Sequence, residues 1–253
     1  MRTAVRILSL LACFALACDD DPVADRPADS QPDVVAEDRE ADEAALWLSR
    51  ELTSPPELYQ TIHNDLVVIR GAYAGSVPKV SVKFRPLWVP SMIILSVDDD
   101  LKQQLLAGQP TSLDYLNGVM QAIEVDTSKL EMPGLGFLVI SFAGRKHSQR
   151  LAELYRTVPG VTAADPNGWY GDGPQLYPWR SPEGGMSYLF RDAFGDCPAG
   201  CIYSIFYYFR RVNGQTEYVG SYDRRVDAEP SWWAEAKIAY TTHRQGLEPP
   251  PAD

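Results

Sequence analysis

Met92-Ile93-Ile94-Leu95-Ser96-Val97 and Gly136-Phe137-Leu138-Val139-Ile140-Ser141-Phe142, with the segments around them up to Asn167, decide the fold. Both runs are short and apolar, which predicts strands. Between them, Thr111 or Ser112 can cap a helix whose inner face is Leu113, Leu116, Val119, Met120 and Ile123. A weaker strand is expected around Val125 to Met132. After the second run, Ser148 can cap another helix that turns Leu151, Leu154, Tyr155 and Val158 inward. Val161 to Ala164 closes the series as a strand, ended by Asp165-Pro166-Asn167, and Asp98 to Ala107 adds a short helix inside the first crossover.

In chain order this is strand, helix, strand, strand, helix, strand. That order is the split βαβ pattern of ferredoxin-like folds, with two helices on one face of an antiparallel sheet. The expectation is therefore an α+β protein: a ferredoxin-like βαββαβ unit over 91–167, followed by an antiparallel β-ribbon region over 168–245 with a short disulfide. The close of the unit, Tyr155-Arg156-Thr157-Val158-Pro159-Gly160-Val161 through Asp165-Pro166-Asn167, resembles the end of subtilisin-type propeptide or inhibitor domains. The resemblance covers about a quarter of the chain. It implies the same fold and permits inhibition of a protease in trans, in which case the residues after Asn167 should lie extended and exposed.

Upstream, Leu58, Ile62, Leu66, Ile69 and Tyr73 recur at helical spacing after Pro55-Pro56. Val80-Ser81-Val82-Lys83-Phe84 alternates as a strand would. Pro86 and Pro90 make the next stretch irregular or an edge, since each removes a backbone donor.

Downstream, Tyr188-Leu189-Phe190-Arg191 starts a strand and Cys201 to Arg211 is a long one. Asn213-Gly214 signals a two-residue type I′ hairpin turn, because both residues tolerate positive φ. That turn sets Val212 opposite Gln215, Phe209 opposite Tyr218, and Arg210 opposite Glu217 as an opposite-charge pair. One face then carries Ile205, Tyr207, Phe209, Tyr218 and Tyr222, and the other Phe206, Tyr208 and Val219. Both faces are apolar, so the ribbon must be covered on at least one side. A last helix over Trp232 to Tyr240 is expected to do so, before a disordered tail at 246–253.

The N-terminus reads as an address. Arg2 and Arg6 precede an apolar run, Ile7 to Ala17, broken only by Ser9. It is shorter than the roughly 20 residues of a membrane span and has the length of an export-signal core. Ala15-Leu16-Ala17-Cys18 resembles a bacterial lipobox, with Ala15 where such motifs usually have Leu, and implies cleavage after residue 17 and a lipid on Cys18. Leu10-Leu11-Ala12-Cys13 is the rival site and fits the motif better, but leaves a very short apolar core and a stub at Phe14 to Ala17. An ordinary cleaved secretory signal without lipid is the blander alternative. Asp19 resembles an inner-membrane retention signal of some bacterial groups, a rule that varies between lineages, so periplasmic and surface display both stay open.

Residues 18–45 are expected to form a disordered acidic tether. From Asp19 to Ala45 there are eleven acids against two arginines, which leaves residues 46–253 with only −4 of the chain's −11. Such a segment buries too little apolar area to offset its ordering entropy, and its reach would be about 30 Å.

Gly195-Asp196-Cys197-Pro198-Ala199-Gly200-Cys201 is the most distinctive stretch. Outside the cytoplasm, Cys197 and Cys201 are expected to form a disulfide, whose small loop contributes on the order of 2 kcal/mol in the chain-entropy model. A redox site is the sharper alternative, but redox motifs are Cys-x-x-Cys, one residue shorter. The segment resembles a Gly-Asp-Cys-Pro-x-Gly-Cys motif of uncharacterised secreted bacterial lipoproteins, where it also precedes an aromatic strand and a Val-Gly-x-Tyr close. Here those parts are Cys201 to Phe209 and Val219-Gly220-Ser221-Tyr222, with Gly171-Asp172-Gly173-Pro174 upstream. The family brings no activity with it.

His63, His147 and His243 lack metal-ligand spacing, and His147 reads as a solvated start of a helix. There is no Gly-x-Ser-x-Gly elbow. Ser76-Val77-Pro78-Lys79 matches Ser-x-x-Lys, but Pro78 breaks the helix that motif needs. Asp98-Asp99-Asp100 lacks calcium-loop spacing and suits a helix N-terminus. No phosphate loop or basic nucleic-acid stripe is present, so no metal, cofactor or nucleic acid is expected. Trp169, Tyr170, Tyr177 and Trp179 fall in a Gly- and Pro-rich stretch and are the candidate binding residues, since rings exposed on loops stack on glycans or anchor protein partners. The alternative is that these rings cap the core. The functional expectation is a non-catalytic binding or interaction lipoprotein of the bacterial cell envelope; an envelope enzyme without a recognisable motif is the runner-up.

Overall fold

The computed structural model describes residues 38–81, 84, 92–108, 125–126, 137–142, 144–168 and 172–245. Its elements make two four-stranded antiparallel sheets with helices packed on them. Among the described residues no helix is long and apolar enough to cross a membrane.

The first sheet takes β1 (Met92–Val97), β2 (Val125–Asp126), β3 (Leu138–Phe142) and β4 (Val161–Asp165) in the order β2-β3-β1-β4. Every neighbouring pair is antiparallel, with Ile93 opposite Ile140 and Leu95 opposite Ala164. Helix α3 (Asp99–Leu106) follows β1, and its cap is the first of the three aspartates: the Asp98 carboxylate accepts from the Leu101 N–H at 2.8 Å. The acidic run is thus a helix N-terminus, as its composition suggests. Helix α4 (Ser148–Tyr155) sets Leu151, Ala152 and Tyr155 against Ile93, Leu95 and Ile140. The expected helix at 111–123 and most of the weak strand at 125–132 lie outside the described residues.

The second sheet is a meander of β5 (Gln175–Arg180), β6 (Met186–Phe194), β7 (Tyr203–Val212) and β8 (Gln215–Asp223). The Asn213-Gly214 turn has positive φ at both residues, 50° and 75°, and sets the expected register: Val212 opposite Gln215, Arg210 opposite Glu217 and Phe209 opposite Tyr218. One expectation fails. The register shifts between Tyr208, which faces Gly220, and Phe209, which faces Tyr218, so Val219 is an extra residue in β8. A bulge of one residue reverses the faces beyond it. Tyr222 therefore joins Phe206 and Tyr208 rather than Tyr207 and Phe209.

Both faces of this sheet are covered. Helices α1 (Asp38–Ser49) and α2 (Pro56–Tyr73) bury Ala41, Ala44, Ala45, Ile62, Leu66 and Ile69 against Tyr188, Phe190 and Phe209. Helix α5 (Trp233–Arg244) buries Trp233, Ala236 and Ala239 against Phe206, Tyr208 and Tyr222, one turn longer than the sequence suggests.

Helix α1 corrects the tether boundary. Residues 38–45 are helical, and Glu40, counted among the tether's solvated charges, is buried with Arg70 of α2, Nη1 to Oε2 at 2.7 Å and Nη2 to Oε1 at 3.0 Å. Alanines at 41, 44 and 45 provide the apolar stripe that composition alone hides. The alternating Val80–Phe84 segment is corrected as well. Pro78–Ser81 is a single 3-10 turn that buries Val80, and Val82 and Lys83 lie outside the described residues.

Candidate functional site

The disulfide between Cys197 and Cys201 is present and closes a tight loop between β6 and β7. Two backbone bonds shape the loop, from Ala199 N–H to the Asp196 carbonyl and from Gly200 N–H to the Cys197 carbonyl. A third ties it to a distant segment: the Asp172 N–H donates to the Cys197 carbonyl at 2.8 Å. The two glycine-rich stretches that share one sequence resemblance therefore touch.

Asp172 sits at the centre of an arginine network. Arg191 of β6 grips its carboxylate with both terminal nitrogens, at 2.7 and 2.8 Å, while its Nε donates to Ser204 Oγ at 2.9 Å. Arg244, the last residue of α5, reaches the same carboxylate at 3.1 and 3.3 Å. Gln175 Oε1 accepts from Arg191 Nη1, from Arg244 Nη1 and from the Tyr177 hydroxyl. Arg191 spends its fork on partners inside the protein. Arg244 reaches this network through Nη1 and also lines the cleft beside it.

That cleft has a volume of about 560 Å³ and is lined by Asp172, Arg191, Tyr203, Arg224, Arg225, Arg244 and the Gly200–Ile202 side of the disulfide loop, among others. Arg225 chelates Asp223, Nε to Oδ1 at 2.9 Å, and its guanidinium lies over the rings of Phe194 and Tyr203 at 5.2 and 5.0 Å. Stacking of this kind orients an arginine while keeping its charge. Arg224 lies exposed at the rim, and Ile202 and Tyr203 are 64% and 40% exposed beside it. The four lining arginines outnumber the two carboxylates they pair with, Asp172 and Asp223, so the cleft keeps a net positive charge.

The titratable groups are locked rather than poised. Burial pushes the Asp172 carboxyl up, but the hydrogen bonds from Arg191 and the Gly173 N–H, with the charges of Arg191 and Arg244, outweigh it. They hold Asp172 well below the usual carboxylate range. Burial lifts the Tyr177 phenol above its ordinary range, against the pull of Arg191 and Arg244. Both cysteines are in the disulfide, and Ser204 Oγ accepts from Arg191.

The aromatic candidates divide. Trp169 and Tyr170 lie outside the described residues, as does Cys18. Tyr177 and Trp179 are not exposed on a loop but are strand β5 residues, with 0% and 3% exposure. Tyr177 packs edge-on against Tyr240 and His243, and Trp179 stacks on Tyr208 at 5.1 Å while its Nε1 donates to Glu235 at 2.7 Å. The prolines and glycines around them mislead because Pro178 is accommodated on an edge strand, opposite Tyr188. The same strand runs against the protease-inhibitor expectation, since Gln175 to Trp179 is extended but buried in a sheet rather than exposed, while residues 169–171 lie outside the described residues.

His147 is also corrected: it is buried at 6% exposure and caps α4, its Nδ1 accepting from the Arg150 N–H at 3.3 Å. Among the described residues no group of three His, Cys, Asp or Glu side chains could hold a metal ion. Sequence reasoning missed the arginine network. Arg191, a charge inside the strand-forming run Ser187 to Phe194, was its readable sign, because a buried arginine requires a carboxylate.

Fold and site together define an α+β protein with a disulfide-braced, arginine-lined cleft at one end of its second sheet. No family model, curated protein or solved structure matches the chain.

Proposed function

We propose that this protein is a binding or interaction lipoprotein of the bacterial cell envelope, held by a lipid on Cys18, and that its cleft receives an anionic group of a ligand or partner. The observation that carries the reading is a wide cleft lined by Arg191, Arg224, Arg225 and Arg244 whose one lining carboxylate, Asp172, is held by Arg191 and Arg244. A binding role suits the site better than catalysis, because Asp172 is held ionised by its donors and the neighbouring serine is engaged by Arg191. Exposed Ile202 and Tyr203 add an apolar shoulder, as binding surfaces often have. The order β2-β3-β1-β4, antiparallel throughout, supports a ferredoxin-like reading of the first unit, with α4 as its second helix.

Two measurements test the proposal. Mass spectrometry of the membrane-extracted protein should find a mature N-terminus at Cys18 bearing diacylglycerol, and Cys18→Ala should abolish it; a non-acylated terminus defeats the anchor. Titration with inorganic phosphate, and separately with citrate, should give saturable shifts of arginine side-chain resonances. Arg224→Ala with Arg244→Ala should remove them. Shifts that never saturate, or that survive the double substitution, defeat the cleft.

A further inference from the structure

The arginine cleft is wider than one small anion requires. Its volume of about 560 Å³ lies in the range that receives a whole organic ligand. Its arginines come from three places: Arg191 on β6, Arg224 and Arg225 on the turn after β8, and Arg244 at the end of α5. Acids beside them are already engaged. Asp172 is held by Arg191 and Arg244, Asp223 by Arg225, and the Asp227 carboxylate accepts from the Asp223 N–H at 2.8 Å. A fitting occupant therefore carries several negative charges spread along its length.

The chain itself contains such a segment. Asp21, Asp25, Asp29, Asp33 and Glu37 recur at every fourth residue before α1, with Arg26 as the one basic residue among them. In extended backbone, residues four apart stand about 13 Å from each other, so successive carboxylates need not compete for one arginine.

The folded body delivers this segment to the right end of the sheet. Helix α1 runs along β6 in the opposite sense. Leu48, near its C-terminal end, lines the same groove as Met186, where β6 starts. Glu40, in its first turn, accepts from the Phe84 N–H, and the Phe84 ring meets that of Phe190 at 5.5 Å. Arg191 is the next residue of β6. The chain upstream of Asp38 thus leaves α1 at the end of β6 that carries the cleft. Asp33 lies within about 18 Å of extended chain from Asp38, and Asp29 within about 32 Å. That is enough to round the end of a sheet whose strands stand about 5 Å apart.

We propose that the acidic segment 25–37 docks in this cleft in cis, and that an external anionic ligand binds by displacing it. The proposal rests on the reading of the cleft as an anion site. On the lipid-anchored protein, docking takes up part of the tether and draws the body toward its anchor, and displacement by the ligand gives the tether back its full reach.

The test uses the full chain in detergent micelles beside the triple variant Asp25→Asn, Asp29→Asn, Asp33→Asn, whose changes all precede α1, with citrate as the probe. A tethered competitor at about 1 mM effective concentration, with a dissociation constant of about 0.1 mM, weakens an external ligand about tenfold. The triple variant should therefore bind citrate about tenfold more tightly than the unmodified chain. Without citrate, its Arg224 and Arg244 side-chain resonances should differ from those of the unmodified chain by the same amount at every protein concentration. A control with Glu51→Gln, Glu57→Gln and Asp100→Asn, exposed acids that do not line the cleft, should bind citrate as the unmodified chain does. Equal tightening in the control would overturn the docking in favour of a general charge effect. Equal affinity of the triple variant and the unmodified chain, with binding that Arg224→Ala and Arg244→Ala abolish, overturns the docking and leaves the cleft standing. Resonance differences that grow with protein concentration overturn it in favour of a second copy's segment. Absence of citrate binding in every chain removes the cleft reading itself and the occupant with it.

Discussion

Glu40 and Arg70 form a buried ion pair in which both carboxylate oxygens and both terminal guanidinium nitrogens are matched. Arg70 Nε also donates to the Val80 carbonyl at 2.7 Å, and Glu40 Oε1 accepts from the Phe84 N–H at 3.2 Å. Removing one partner strands the other charge inside the protein. Glu40→Ala should cost about 3–5 kcal/mol of unfolding free energy, read by urea denaturation. A cost below about 1 kcal/mol, typical of a surface pair, would show that α1 is not docked as described.

The two buried histidines make stability depend on acid. Their folded pKa values, about 4 for His147 and about 3 for His243, lie below the unfolded value of 6.5. The unfolded chain therefore binds more protons below pH 6.5, and the contribution is complete above that pH and lost as pH falls toward 3. Between pH 6.5 and 5, above the ordinary carboxylate range, the urea midpoint should already decline. A flat midpoint over that interval would mean that neither ring is buried neutral.

Tyr177 and Trp179 should behave as core residues. Changing either to Ala should destabilise the fold by about 3–5 kcal/mol, whereas Arg224→Ala should leave thermal stability unchanged and weaken anion binding. If Trp179→Ala instead folds with wild-type stability, its packing between Tyr208 and Glu235 is wrong.

Gly185 is held at φ +83°, and a Cβ there would stand 2.1 Å from the Arg211 carbonyl oxygen. Gly185→Ala should disrupt the β6–β7 pairing and lower the melting temperature sharply, whereas Gly184→Ala, with open space around the same φ, should cost far less. Equal melting temperatures for the two variants would contradict the close approach.

The disulfide closes a five-residue loop, Cys197 to Cys201, so its reduction should remove on the order of 2 kcal/mol. Because the Cys197 carbonyl holds the Asp172 N–H, Cys197→Ser with Cys201→Ser should also loosen the cleft and weaken phosphate binding. Binding identical to the unmodified protein would show that the loop only decorates the site.

What could be read in advance divides by the range of the forces involved. The β7–β8 register was legible because Asn213-Gly214 encodes it locally, and α3 because Asp98 caps it three residues ahead. The bulge was missed although Gly220, an isolated glycine within a strand, is its usual sign. Helix α1 was hidden because eleven acids dominated the composition of a segment whose alanines sit at helical spacing. The cleft was not legible as a site: Asp172, Arg191 and Arg244 come from a loop, a strand and a helix that only the folded sheet brings together. The same holds for His147 and His243, whose isolated positions looked bland because their burial exists only in the folded protein.

The extra residue at Val219 also bears on how these molecules behave as neighbours. Strand β8 is an outer margin of the second sheet, and a regular margin is a template on which another copy's strand can add. The interruption at Val219, with Trp232 Nε1 packed so close that a Cβ on Gly220 would stand 3.2 Å from it, spoils that template midway along its length. An irregular margin of this kind disfavours the addition of a second copy's strand along β8.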